Sequence, residues 1–255
     1  MSTAEHSTLS RQRLEDGRRW GSALLKQRHA LERAGIVIDH IRIHGTQVRV
    51  GHKDGRGRPL LICNGIGANL EILAPLVEAI HDRPVILFDI PGTGGSENAW
   101  MVPPWMHKYS SYARRVLHHF EVREFDLAGI SWGGLLAQRV ARDSGDRVKN
   151  LVLMAASSGI LMVPGRVSAL RLMFTPRRYL SRSFMVKHAA TLYGGELLDG
   201  AHGAVEHAAM ARAPSALSYV QQLAAAQYFT SLPWLWRIRC PALVMIGDDD
   251  PLMRV

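Results

Sequence analysis

Between Leu60 and Ala155, four short apolar runs alternate with three helical patterns. The runs are Leu60-Leu-Ile-Cys63, Pro84-Val-Ile-Leu-Phe88, Phe125-Asp-Leu-Ala128 and Val148 to Ala155, and amphipathic spacing fills the gaps at Leu70 to Ile80, Tyr109 to Phe120 and Trp132 to Arg142. A strand apolar on both sides is buried on both faces, which a mostly parallel sheet with helices on each side provides. The class expected is therefore α/β. Ahead of the alternation, Ile36 to Ile43 and Val48-Arg-Val50 read as a hairpin turning at Gly45, which adds antiparallel strands at one edge. Asp54 to Arg58 reads as a loop. The alternation stops after Ala156. Residues 157–236 are rich in Met, Leu, Ala and aromatics at helical spacing, and Pro241-Ala-Leu-Val-Met-Ile246 then returns as one more buried strand. The expected organisation is a polar, basic extension (1–34), a core (35–156 and 237–255) and a helical cap or lid (157–236).

Size and composition agree with this. A chain of 255 residues, 47% hydrophobic and 21% charged, suits one large domain or two small ones and argues against disorder. No apolar run reaches the roughly 18 residues of a membrane span, and the polar first thirty residues lack a signal-peptide core. Cys63 and Cys240 sit in apolar stretches and read as buried free thiols. No Cys/His spacing suggests a metal, and no G-K-[ST] or G-x-G-x-x-G string suggests a nucleotide. No cofactor is expected. The net charge of +9 brings nucleic acid to mind, but the distribution argues against it: no acid lies between Asp146 and Glu196, a stretch holding Arg147, Lys149, Arg166, Arg171, Arg177, Arg178, Arg182 and Lys187. The excess belongs to one segment, which suits an anionic surface contact by the cap.

Gly129-Ile-Ser-Trp-Gly133 falls between a strand and a helix, where a sharp turn lifts a serine hydroxyl above a sheet. Ser131 is the candidate nucleophile. A serine attacking a carbonyl needs donors for the oxyanion it creates. The N–H of Trp132 is the first candidate, and the N–H of Ile66, in the Asn64-Gly-Ile-Gly67 loop after an earlier strand, is the second. An acid is expected after the strand that follows the insertion, and Gly247-Asp-Asp-Asp250 offers three. Asp250, farthest past the strand end and followed by Pro251, is preferred to orient a histidine.

These strings, with Leu60 to Glu71, Pro91-Gly-Thr-Gly-Gly-Ser96, Gly129-Ile-Ser-Trp-Gly-Gly134, Met162-Val-Pro-Gly165, Thr175-Pro-Arg-Arg-Tyr179, Tyr193-Gly-Gly195 and Gly247 to Leu252, resemble the intracellular poly(3-hydroxyalkanoate) depolymerases of the α/β-hydrolase superfamily. The likeness runs from about Ile36 onward. It implies Ser131 as nucleophile, Asp250 as triad acid, and cleavage of stored polyester through an acyl-enzyme in the cytoplasm, at storage granules. It also implies a histidine a few tens of residues beyond the acid. Only Pro251-Leu-Met-Arg-Val255 follow here, so the triad histidine and the last strand and helix are expected to be absent, leaving 241–246 as a sheet edge. The alternatives are a carboxylesterase or lipase of small medium-chain esters, and a non-catalytic granule-binding protein.

Overall fold

The computed structural model describes residues 25–99, 105–159, 165–173, 175, 177, 181–194, 205 and 208–253. Seven strands form one sheet: β1 (Val37–Ile43), β2 (Thr46–Lys53), β3 (Leu60–Cys63), β4 (Val85–Phe88), β5 (Phe125–Ile130), β6 (Val148–Met154) and β7 (Ala242–Met245), in the order β1-β2-β4-β3-β5-β6-β7. The helices are α1 (25–33), α2 (Ala74–Ala79), α3 (Met106–His119), α4 (Trp132–Ser144), α5 (Val167–Met173), α6 (Arg182–Tyr193) and α7 (Ala216–Gln227). The β1–β2 and β2–β4 pairs are antiparallel, and every pair from β4 to β7 is parallel. The expected hairpin turns at His44 and Gly45, both with positive φ, as a two-residue turn between twisted strands requires.

Each buried strand splits its side chains between two cores by the period of two. Leu61, Cys63, Ile86, Phe88, Phe125 and Leu127 face α3 and α4. Ile62, Val85, Leu87 and Ala128 face the opposite layer, with Leu70, Leu73, Ala74 and Val77. The continuous apolar runs of β3 to β6 therefore serve two faces, the reason the sequence reads as α/β, whereas β7, expected as a buried strand, stands at the sheet edge with Leu243, Val244 and Met245 exposed.

Several boundaries differ from the sequence reading. The helix expected over Leu70 to Ile80 is a 3-10 turn (Leu70–Leu73) running into α2, with Pro75 in the first turn of α2, where it needs no N–H partner. α3 begins at Met106, three residues before Tyr109. Cys63 is buried, and burial pushes its thiol up to about 12, whereas Cys240 is only half-buried. Residues 25–34 of the basic extension dock by one face: Ala30, Leu31 and Ala34 join the second core, Gln27 donates to the carbonyls of Ala209 and Met210, and Lys26, Arg28, His29, Glu32 and Arg33 are exposed. The rest of that extension lies outside the described residues.

The chain runs from β3 outward to β4, then returns to place β5 on the other side of β3. Loops leaving the carboxyl ends of β3 and β5 therefore diverge, and the crevice between them is where a sheet of this type receives a ligand. Asn64-Gly-Ile-Gly67 follows β3 and Ser131 follows β5.

Candidate active site

Ser131 occupies the turn between β5 and α4 with φ 53° and ψ −119°. A non-glycine residue there carries about 1–3 kcal/mol of strain and persists only where its surroundings enforce it. Here they do. Its N–H donates to the Met154 carbonyl at the end of β6 (2.8 Å), and its carbonyl accepts from Gly134 N–H (2.8 Å). The flanking glycines are required by close approach. A Cβ on Gly129 would strike the Gly133 carbonyl, and one on Gly133 would strike the carbonyls of Cys63 and Asn64. The turn is thus pressed against the end of β3, which brings the Asn64 loop beside the serine.

Ser131 lines a cavity of about 300 Å³ whose walls include Ile66, Trp132, Leu135, Ser157, Leu170, Met173, Leu223, Leu252 and Met253. Three of the four sequence candidates, Ser131, Ile66 and Trp132, meet there. Trp132 opens α4, so its N–H has no carbonyl four residues back within the helix. Its ring is buried, edge-on to Tyr109 at 5.1 Å.

In the Asn64 loop, Asn64 Oδ1 accepts from Gly65 N–H (2.8 Å) and its Nδ2 donates to the Asn69 carbonyl (2.9 Å). Gly67, with φ +66°, donates its N–H to Gln222 Oε1 (2.9 Å). Beneath the loop, buried Arg49 pairs with Glu71 (2.9 Å) and Asp89 (3.2 Å), and Asp89 also accepts the N–H groups of Leu70 and Gly95. Burial pushes Asp89 up to about 6, whereas hydrogen bonds from Arg49 and Asn69 outweigh desolvation and lower Glu71.

Asp250, the fourth candidate, stands beyond β7. Its Oδ1 accepts the N–H groups of Leu252 (2.8 Å) and Met253 (2.9 Å), which folds those two residues into the cavity wall while the carboxylate caps its own turn. No histidine lines the cavity among the described residues. His118 and His119 are exposed at the end of α3, His188 stacks on Phe184, and His202 and His207 lie outside the described residues.

A larger open cleft of about 950 Å³ between the hairpin turn and α3 holds a hydrogen-bonded pair, His44 Nε2 and Ser111 Oγ, at 2.8 Å. Ser111 lies inside α3, where neighbouring N–H groups are committed to helix bonds, so the smaller cavity is the better candidate.

Helix α7 supplies residues that sequence reading missed. Trp132 Nε1 donates to the Gln222 carbonyl (2.8 Å), Ser218 Oγ donates to the Pro91 carbonyl (2.6 Å), and Gln222 Nε2 donates to Ser218 Oγ (3.0 Å). Their one signal was polarity in α7, a helix with no charged residue. Among the aromatics and methionines of residues 157–236, Met173 lines the cavity. Met185, Tyr219, Phe229 and Trp234 are buried in the molecule's own packing, Tyr228 and Trp236 are exposed, and Met162 and Phe174 lie outside the described residues. The basic segment divides as well. Arg147 is tied to the carbonyls of Val122 and Arg123, and Lys149 to Glu124, all in the core. Arg166, Arg171, Arg177 and Lys187 are exposed along and beside α5 and α6, and Arg178 and the Arg182 side chain lie outside the described residues.

A family model for the alpha/beta hydrolase fold matches residues 58–255. A poly(3-hydroxyalkanoate) depolymerase of Ectopseudomonas oleovorans is 39% identical over 223 residues, covering 85% of this chain and 77% of that protein. A putative lipase of Acinetobacter baumannii superposes with a TM-score of 0.73 at 18% identity, over 91% of this chain and 81% of that one. A bacterial membrane phospholipase A superposes with a TM-score of 0.71 at 18% identity, over 100% and 85%. The two structural likenesses concern the fold.

Proposed function

The chain belongs to the alpha/beta hydrolase family, and from that premise we propose that it is a serine-dependent hydrolase of poly(3-hydroxyalkanoate) polyester. The observation that carries this reading is the strained Ser131 turn at an apolar cavity whose walls include Ile66 and Trp132. In the proposed reaction Ser131 Oγ attacks the ester carbonyl, the N–H groups of Ile66 and Trp132 hold the oxyanion, and the alcohol end of the chain leaves. Water then attacks the acyl-enzyme and releases the acid. Asp250 is the proposed triad acid. The base that takes the serine proton is a histidine in this chemistry, and no described residue brings one to the cavity.

The proposed place of action is the cytoplasm, at the surface of stored polymer. No described helix is long and apolar enough to cross a membrane. Contact with the granule is proposed through the cap, whose exposed Arg166, Arg171, Arg177 and Lys187 form a cationic face. α7 adds Leu217, Val220 and Tyr228, exposed along one stripe of a helix whose other faces turn inward.

The test is hydrolysis of suspended polymer granules by the protein made from its native gene. Turbidity should fall, and Ser131→Ala should remove at least about 10³-fold of the rate. Hydrolysis of p-nitrophenyl alkanoates without granule clearing favours the small-ester esterase. Granule binding with no Ser131-dependent hydrolysis of either substrate favours the binding protein.

A further inference from the structure

We infer that Gln222 of the lid is a positioning residue for the oxyanion hole, so that docking of α7 and assembly of the hole are one event. The inference rests on the reading of Ser131 as nucleophile.

Gln222 is fully buried and touches both walls of the proposed hole. Its Oε1 accepts the N–H of Gly67, the residue after Ile66, and its backbone carbonyl accepts the indole N–H of Trp132, the residue after Ser131. The two peptide planes that meet at Ile66 are fixed separately. The Gly65 carbonyl accepts from Ala68 N–H (3.1 Å), which sets the plane carrying the Ile66 N–H, and Gln222 sets the next plane through Gly67.

The amide has one allowed orientation. Ser218 Oγ donates its proton to the Pro91 carbonyl, leaving a lone pair that only a donor can meet. Gln222 Nε2 meets it, which turns Oε1 toward Gly67. Each step of this buried relay donates in one direction, from Gly67 in the loop after β3 through Gln222 and Ser218 of α7 to the Pro91 carbonyl in the loop after β4, and reversing the amide would oppose donor to donor at Gly67 and acceptor to acceptor at Ser218. The start of α7 is tied to the same core loop, since Ser215 N–H donates to the Gly92 carbonyl (2.8 Å). Withdrawing α7 would leave Gly67 N–H and the Trp132 indole without these acceptors, so a lifted lid slackens the hole that it covers.

The experiment compares Gln222→Met, Gln222→Glu and Ser218→Ala with Ser131→Ala, in the protein made from its native gene, on p-nitrophenyl octanoate and by amide hydrogen exchange. Gln222→Met keeps the length and loses the acceptor. It should lower kcat by about 10- to 100-fold with KM within about twofold, less than the loss of an oxyanion donor itself. Exchange at Gly67 should accelerate. Gln222→Glu, which retains an acceptor for Gly67, should recover part of kcat, and Ser218→Ala should show a smaller loss of the same kind. Unchanged kcat and unchanged Gly67 exchange in Gln222→Met and Ser218→Ala overturn the inference while Ser131→Ala stays inactive. A rise in KM alone also overturns it, because Gln222 would then only bind substrate. Full activity in Ser131→Ala overturns instead the reading on which it rests. Gly67 exchange reports the loop contact whether or not hydrolysis is measurable, and Ser218→Ala stands in if Gln222→Met fails to fold.

Discussion

The Ser131 turn and helix α7 both line one cavity, yet they are held in different ways. The turn is fixed by backbone. Strained dihedrals, carbonyls of β3 and β6 at close range, and glycines that leave no room for a Cβ define it. The region around α7 is fixed largely by side chains, beside a backbone bond from Ser215 N–H to the Gly92 carbonyl. Ser218 and Gln222 bond to the loops below, Ser231 Oγ donates to Gln138 Oε1 (2.6 Å) on α4, and the Tyr219 hydroxyl donates to the Met173 carbonyl (2.6 Å). A backbone-defined site tolerates almost no change, whereas a wall held by a few buried polar bonds loses stability in small steps and can move.

Gly133→Ala tests the first half of that contrast and should have the largest effect. With the new methyl against two carbonyls, stability should drop by about 2–4 kcal/mol in urea unfolding, with hydrolysis abolished. Near-normal stability would show that the turn has slack.

The charged cluster under the Asn64 loop gives the next effect, as a pH dependence. Asp89 is raised to about 6 by burial, so its contribution to stability is fully present below its unfolded value near 4 and is lost as pH rises to about 6. Glu71 is lowered and contributes in the opposite sense, losing stability as pH falls. Asp89→Asn removes only the first. Its stability relative to the unmodified protein should therefore improve by about 1–3 kcal/mol between pH 4 and pH 7, and a difference independent of pH in paired unfolding curves would contradict the assignment.

Smaller effects belong to the lid. Tyr219→Phe removes the bond to Met173 and should cost about 1 kcal/mol in thermal unfolding; a loss as large as that of Gly133→Ala would erase the distinction between the two walls. Val220→Asp, on the exposed stripe, should change stability by less than about 0.5 kcal/mol and yet reduce co-sedimentation with polymer granules. Unchanged co-sedimentation would remove that stripe from the proposed contact.

The same contrast explains what the sequence disclosed. Strand and helix type in the core follow from local periodicity, so β3, β5, β6 and α4 were legible, and the Gly129–Gly133 string carried its own geometry. Strand order was not written in any one segment, and it is the reversal between β3 and β5 that brings Ile66 to Ser131. The roles of Gln222 and Ser218 depend on contacts 155 and 127 positions away in the chain, which no local pattern reports. The start of α3 at Met106 gave little signal because Met106, His107 and Lys108 hold one apolar side chain among them, and the docking of α1 depends on Leu70, Leu73, Ala74 and Val77, which no pattern within residues 25–34 reports.

The most direct test of the central claim is the site of covalent labelling by an alkyl fluorophosphonate, read by peptide mass spectrometry on the protein made from its native gene. The account predicts a single adduct on the peptide containing Ser131, absent from Ser131→Ala. An adduct on Ser111 or another serine, or one that persists in Ser131→Ala, would contradict it.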